Sequence, residues 1–493
     1  MKDIYLKSKV GIKWTVTSNI VISILRTLTI TILTLSLGPE KMGLISIIMV
    51  IYTLSEILTQ FGVSQAIISS TETTGRVLSS IFWINQAIGC LVFSCIFLLS
   101  PSIASFYNQP QLINNLRILS IIFFLEPLDL VFRAILQKEI NFPILEKVNI
   151  TKSISISIST ILLILLDFEI KGFVFGLIIG AFIDALLLSY YFIKNKLWFP
   201  SLHFSFEEIK THYSFGLFVT ATALINYMGR NFDELIIGKI YGVKVLGLYY
   251  FAKNILAKIT SMFVTSLSKV TFPLYSKLKT DLPEFKKLYL FLSHVVASLG
   301  FFIFGMVFVG SPFAIPTIWG VDWSDSVMFI QAFSVIACLD ILSSGFASPA
   351  LYVFNKPKFV FKVDLIFTPL RILLIFLASL ISIKTVFLVF FTIVLSKILI
   401  LQRRVNKEIN SDFSEYYLSI KKPLQSLLLS FLCYFLINIL LESNNQIVYN
   451  ILKPSIFMFA YSVQFILGDL ETFKVMKKEI IEIFLRKKPP CVE

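Results

Sequence analysis

The sequence predicts an all-α polytopic membrane protein, and three observations carry that prediction. Of 493 residues, 56% are hydrophobic, 15% are charged and 49 are Phe; a soluble domain averages about 45–50% apolar and about 25% charged. A single soluble core stops growing near about 250–300 residues, so lipid is the remaining solvent for this excess. Third, apolar runs of about 20 residues, the length that crosses a bilayer, recur along the whole chain between short polar breaks.

The basic segment Met1–Val10 leads into an apolar run that reaches Leu37 without a small-residue cleavage site. It therefore reads as the start of a retained first span and not as a removed leader. About fourteen spans follow from the pattern. The first six are roughly 10–37, 43–68, 80–104, 116–137, 147–166 and 171–193. The next six are roughly 213–240, 246–270, 288–316, 327–353, 358–380 and 383–402, and a last pair covers 422–441 and 446–467. In the charged tail 468–493, Phe473, Met476, Ile480, Ile481, Phe484 and Leu485 make one apolar helical stripe. Such a stripe suits a helix lying on a membrane surface.

Loop charge sets the expected orientation. Counted in alternation, one side of the membrane carries 26 Lys and Arg and the other about 6. Basic loops stay cytoplasmic, so both termini are expected inside and the protein is expected in the cytoplasmic (inner) membrane. The net charge of +14 then marks topology and contact with anionic lipid headgroups. No nucleic-acid partner is implied, because no soluble basic face exists to bind one.

An internal repeat divides the chain. Arg26, Gly38, Gly43 and Leu44 recur as Arg230, Gly242, Gly247 and Leu248, at an offset of 204. Leu136 with Lys147-Val148 recurs as Leu351 with Lys362-Val363, at an offset of 215. The difference reads as an eleven-residue insertion, expected near the loop that holds Asp322 and Asp325. Two six-helix lobes in the same orientation follow, related by a parallel pseudo-twofold repeat, with the site expected at their interface. The expected division is an N-lobe over 1–193, a cytoplasmic linker over 194–212, a C-lobe over 213–402, two extra helices over 403–467 and the tail 468–493.

Four segments carry a family resemblance: SSIFWINQAIG (Ser79–Gly89), LQKEINFPILEKVNI (Leu136–Ile150), RNFDELIIGKIYGVKVLGLYYFAKNI (Arg230–Ile255) and VTFPLYSKLKTD (Val270–Asp281). The chain resembles the Wzx-type (WzxC/TuaB-like) polysaccharide flippases of the multidrug/oligosaccharidyl-lipid/polysaccharide exporter superfamily, over roughly residues 5–405. That resemblance implies two lobes around a central cavity, alternating access, and a polyprenyl-diphosphate-linked oligosaccharide as cargo for cell-surface polysaccharide such as lipopolysaccharide, capsule or exopolysaccharide. A polysaccharide polymerase and chain-length proteins are the partners expected beside it.

The candidate site residues are the charges inside spans, which are costly unless they face a cavity or a partner. Arg26 and Arg230 match in the repeat and lie near mid-depth, and a guanidinium binds phosphate oxygens in pairs. Asn19 shares the face of Arg26, and Asn226 that of Arg230. Lys253 adds a further cation. Each also admits a structural reading, above all Arg230, which Asp233 and Glu234 are spaced to neutralise. Glu56, Asp184, Asp340 and Asp364 are candidates for proton or sodium coupling, because a buried carboxylate changes protonation readily; pairing with a neighbouring span is their other reading. Glu126, Asp129 and Arg133 share a face, with Asp129 and Arg133 spaced for a pair within the helix. The five Cys and three His show no metal spacing, so no metal, cofactor or catalytic group is expected. Three rival functions remain at this level: a drug or metabolite exporter of the same superfamily, a membrane glycan polymerase or ligase, and a channel or receptor. The second would be expected to carry a large outer loop, and the longest here is about ten residues.

Overall fold

The computed structural model describes residues 2–60, 67–68, 74–440, 452–465 and 474. Among them the chain is helical, with no strand. The first part holds α1 (Lys2–Gln60), α2 (Gly75–Tyr107), α3 (Gln111–Ser120), α4 (Ile122–Leu125), α5 (Pro127–Lys138), α6 (Phe142–Leu165) and α7 (Glu169–Lys194). After a linker come α8 (Phe206–Leu278), α9 (Leu282–Trp319), α10 (Ser326–Leu342), a π-turn at Ser343–Ala347 and α11 (Ser348–Val353). The series ends with α12 (Pro357–Ser379), α13 (Ile383–Glu408), α14 (Phe413–Leu440) and a helical stretch at 452–465. Among the described residues, seven helices are long and apolar enough to cross a membrane. The expected tail helix and the ends of the last two spans fall outside the described residues.

Local chemistry explains the boundaries. Thr74, Asp281 and Ser382 cap α2, α9 and α13, accepting hydrogen bonds from Val77, Glu284 and Thr385 amides at 3.4, 3.2 and 3.2 Å. Each cap satisfies a first-turn N–H that has no partner within its helix. The fourth expected span is broken twice, at Ile121 and at Glu126 before Pro127. Proline has no N–H to continue the ladder and clashes with the preceding turn.

Two helices run through a glycine where two spans were expected. In α1 Gly38 has φ 70°, ψ 174°, and in α8 Gly242 has φ 84°, ψ 170°. Only glycine occupies that backbone region without strain. Positive φ also occurs at Ile140 and at Asn355, 215 residues later, so both offsets read from the sequence reappear in the backbone. The expected single insertion near Asp322 is corrected, however. α2 and α9 begin at Gly75 and Leu282, 207 apart, and end at Tyr107 and Trp319, 212 apart. α3 and α10 begin at Gln111 and Ser326, 215 apart. The eleven residues are spread over three places, the largest share lengthening α9.

The chain forms two compact units, Met1–Tyr250 and Phe251–Glu493. In the first, α1 exposes Ile12, Val16, Ile20, Ile24 and Leu28, a four-residue spacing that makes one lipid-facing stripe. Its opposite face, with Ser18, Thr29 and Leu33, is buried and packs on α6. α6 and α7 meet through Gly172, Gly176 and Gly180; a Cβ at Gly176 would stand 2.0 Å from Thr160 Oγ1. Close approach through small residues is the usual way helices associate in lipid, where burial of apolar side chains gains nothing.

The linker is tied to the first turns of α2. Trp198 Nε1 donates to Gly75 O at 3.1 Å and Trp83 Nε1 to Ser201 O at 2.8 Å. Ser201 and Ser205 amides donate to the Ser79 and Ser80 hydroxyls at 3.1 and 3.0 Å. The SSIFW stretch therefore fixes the linker as far as Ser205. In the second unit Tyr275, Phe285, Tyr289 and Tyr416 pack ring on ring. Tyr289 donates to Gln402 Oε1 at 2.6 Å, and Gln402 to Asn406 Oδ1 at 2.7 Å.

The φ of Gly242 makes a testable demand. Gly242→Ala is expected to destabilise the fold by roughly 1–3 kcal/mol, read as a lower thermal midpoint in detergent. An unchanged midpoint would refute the strain.

Candidate functional site

Two polar regions interrupt the apolar helices of the first unit. The first is a flank of α1. At 3.6 residues per turn, Thr15, Asn19 and Arg26 fall within about 40° of one another. Asn19 and Arg26 are exposed, and Arg26 makes no hydrogen bond or ion pair with any described residue. It lies within electrostatic reach of Tyr52 and Glu56, farther along the same helix.

The second region is a buried network on α1, α5, α6 and α7. Arg133 is its centre: Nε donates to Asp129 Oδ2 at 2.7 Å and one terminal nitrogen to Asn149 Oδ1 at 2.7 Å. The other terminal nitrogen donates to Asp184 Oδ1. Lys152 Nζ lies 2.9 Å from Asp184 Oδ2. Tyr52 donates to Glu126 Oε1 at 2.7 Å, and Gln60 to Glu56 Oε1 at 3.0 Å. These groups surround a cavity of about 190 Å³ lined by Glu56, Thr59, Gln60, Glu126, Asp129, Leu130, Arg133, Asn149 and Lys152. Asp184 is 1% and Asp129 4% exposed. The four acids Glu56, Glu126, Asp129 and Asp184 outnumber the two cations Arg133 and Lys152. Glu126 Oε2 is buried without a hydrogen-bond partner among the described residues.

The structure distributes the expected residues unevenly. Glu56 and Asp184 both belong to the network. Asp184, alone in its helix by sequence, is fully paired. Asp364 is paired too, with Lys397 Nζ at 2.7 Å. Asp340 is half-buried beside the π-turn and accepts from Ser343 Oγ at 3.2 Å. Arg230 and Asn226 are exposed on α8. The acids after Arg230 have partners of their own: Ser46 donates to Glu234 Oε2 at 2.8 Å, and Tyr249 to Asp233 Oδ2. Lys253 is half-buried in the second unit. Sequence reasoning found the Asp129–Arg133 pair but missed Tyr52, Asn149 and Lys152. The signal available was Asp184 itself, since a carboxylate alone in an apolar helix demands a cation on a neighbouring one.

Helices of this length, lipid-facing stripes and buried ionic groups define a multi-pass α-helical membrane protein. Its fold is that of known transporters. The lipid II flippase MurJ, in an inward closed conformation, matches with a TM-score of 0.66 over 94% of this chain and 100% of that one, at 14% identity. An inward-facing MATE family transporter of the MOP superfamily matches with a TM-score of 0.58 over 79% of this chain and 96% of that one, also at 14% identity. At that identity the likeness is one of fold. The family described as polysaccharide biosynthesis protein matches residues 32–328, and the chain belongs to it. Lipopolysaccharide biosynthesis protein WzxC of Escherichia coli (strain K12) is 26% identical over 67% of this chain and 66% of its own length. Teichuronic acid biosynthesis protein TuaB of Bacillus subtilis (strain 168) is 27% identical over 67% and 68%. The resemblance to Wzx-type proteins read from the sequence holds.

Asp184 tests the network. Asp184→Asn removes the carboxylate that binds both Arg133 and Lys152 directly, and breaking a buried pair costs about 3–5 kcal/mol. Asp364→Asn breaks a half-exposed pair and is expected to cost about 1 kcal/mol or less. Thermal unfolding of the two variants in detergent checks the ranking, and equal losses would contradict it.

Proposed function

We propose that the protein is a flippase that carries a polyprenyl-diphosphate-linked oligosaccharide across the cytoplasmic membrane by alternating access, for cell-surface polysaccharide biosynthesis. It acts as a transporter and not as an enzyme. Family membership supports the pathway, and the names of WzxC and TuaB support the kind of product. The observation that carries the mechanism is Arg26, an exposed guanidinium at mid-span without an ion-pair partner among the described residues. A permanent cation held there needs water or an anion beside it. A diphosphate supplies paired oxygens that match the guanidinium fork.

In this reading Arg26 and Arg230 meet the diphosphate, with Lys253 as a third cation, while Asn19 and Asn226 meet the glycan. Two six-helix lobes, 1–193 and 213–402, change their arrangement around the cargo, the extra pair 403–467 stands outside them, and both termini remain cytoplasmic. The loop charges support that orientation. The buried cavity supplies the coupling site. Two surplus carboxylates and an orphaned Glu126 oxygen are costly in a closed space unless a proton or a cation neutralises them. Glu56 and Glu126 are the groups that fill this role, because Asp129 and Asp184 are already held by Arg133 and Lys152. Asp340 and Asp364 lie outside this cavity, and Asp364 is held by Lys397, so neither shares these grounds. A polymerase and chain-length proteins would receive the glycan outside.

Removing a charge-assisted hydrogen bond costs about 1.5–3 kcal/mol, and each 1.4 kcal/mol is about tenfold. Arg26→Ala is thus expected to slow flipping about tenfold to a hundredfold, and Arg26→Lys by less. The measurement is the rate at which radiolabelled lipid-linked oligosaccharide becomes open to an external glycosidase in a deletion strain carrying each variant. Native flipping by Arg26→Ala would sink the reading.

A further inference from the structure

The repeat that the sequence displays closes on itself in space. Gly43 and Gly247 are 204 residues apart, as are Pro39 and Val243. A Cβ placed on Gly43 would stand 1.9 Å from the carbonyl oxygen of Val243, and one on Gly247 would stand 1.8 Å from that of Pro39. The two contacts are images of each other under the repeat. Each glycine turns its Cα hydrogens to the carbonyl that opens the other helix segment. No side chain lies between the two backbones at these points, so no residue other than glycine fits either position without moving a backbone.

Buried apolar side chains flank the contact on both segments, among them Met42, Leu44, Ile45, Leu246 and Leu248. Single polar contacts brace it. The buried Ser46 hydroxyl donates to Glu234 at 2.8 Å, Lys239 Nζ to Phe106 O at 2.6 Å, and Tyr107 OH to Leu235 O at 3.5 Å. Each is a hydrogen bond that water can replace when the segments part. Arg26 and Arg230 precede the two kinks by twelve residues, roughly 18 Å of helix, and both are exposed. The polar groups thus lie open at one depth while backbones meet at another.

We propose that the reciprocal contact of Gly43 with Val243 and of Gly247 with Pro39 is a latch, which seals the kink end of the transport path and parts during each cycle. The consequence for transport rests on the flippase reading; the latch itself does not. At its two points of contact the latch is made of backbone atoms, so the segments approach more closely there than any side chain would allow. It is also twofold by construction, so one rotation between the repeats releases both halves together.

The test uses the full-length protein with its five Cys replaced by Ala and Ser46→Cys as reporter, Ser46 being 0% exposed. In membrane vesicles, a membrane-impermeant maleimide is expected to label this Cys slowly. Adding Gly43→Ala or Gly247→Ala is expected to raise the labelling rate at least about tenfold, to a similar extent for either. Gly310→Ala, where a Cβ meets nothing within 4 Å, is the control. An unchanged rate in both variants, or an equal rise in the control, overturns the latch. A second arm does not depend on those variants folding. Ser46→Cys with Glu234→Cys is bridged by dibromobimane in spheroplasts of the native host, and new surface polysaccharide is measured. Loss of synthesis on bridging supports the latch, and synthesis at the unbridged rate overturns it. If the unbridged protein already plays no part in surface polysaccharide, the flippase reading fails, and the labelling arm alone decides the latch.

Discussion

Lipid offers no hydrogen bonds, and that constraint orders the rest of the structure. Every polar group within a span must be answered by the protein, by trapped water or by a ligand. The backbone meets the demand by being helical almost throughout the described residues. Within the described spans it departs from α-helix at Gly38 and Gly242, at Ile121, at Glu126 before Pro127, and at the π-turn Ser343–Ala347. Side chains meet the demand in two ways. The ionic groups on α5, α6 and α7 answer one another inside the bundle. Those on the α1 flank are left to whatever enters from outside.

This difference separates structural charge from working charge. Arg133 carries a dense set of polar contacts, with Asp129, Asn149 and Asp184 each taking one of its three nitrogens. Two carboxylates already answer its charge, which leaves little electrostatic demand for a phosphate. Arg26 has no such set among the described residues, and Glu56, an acid within its electrostatic reach, already accepts from Gln60. In the proposed function the working cation is therefore the poorly satisfied one, whereas counting polar contacts alone would favour Arg133.

The fold was legible where a physical rule acts through sequence alone. Span length, loop charge and glycine spacing are local, and they placed most helices and the breaks between spans that the structure makes as kinks at Gly38 and Gly242. The repeat was legible because Gly38 and Gly242 answer a backbone need that no other residue meets. What the sequence hid was pairing between helices far apart in the chain. Asp184 and Asp364 looked alone because their partners, Lys152 and Lys397, lie 32 and 33 residues away on other helices. Tyr52 gave no sign of meeting Glu126. The anchorage of the linker was hidden too, since hydrogen bonds from its amides to Ser79 and Ser80 leave no trace in composition. Even the insertion was misplaced, because single residues added along α9 lengthen a helix without leaving a polar loop to mark them.

The cavity beside Arg133 and the flank that bears Arg26 are linked through one helix. Glu56 lies thirty residues after Arg26 in α1, beyond the Gly38 kink, so the two groups stand on the two arms of a bent rod. A straight helix would put them about 45 Å apart at 1.5 Å per residue, far beyond one Debye length at physiological salt. The kink folds the second arm back and brings Glu56 within electrostatic reach of Arg26. Gly38 thereby sets a carboxylate near the guanidinium. Under the proposed function, a proton or cation that neutralised Glu56 would weaken its pull on Arg26 and leave the guanidinium freer for an anion, and its departure would reverse the effect. Coupling between ion and cargo would then need no long pathway, because the two proposed sites share a helix and a bend.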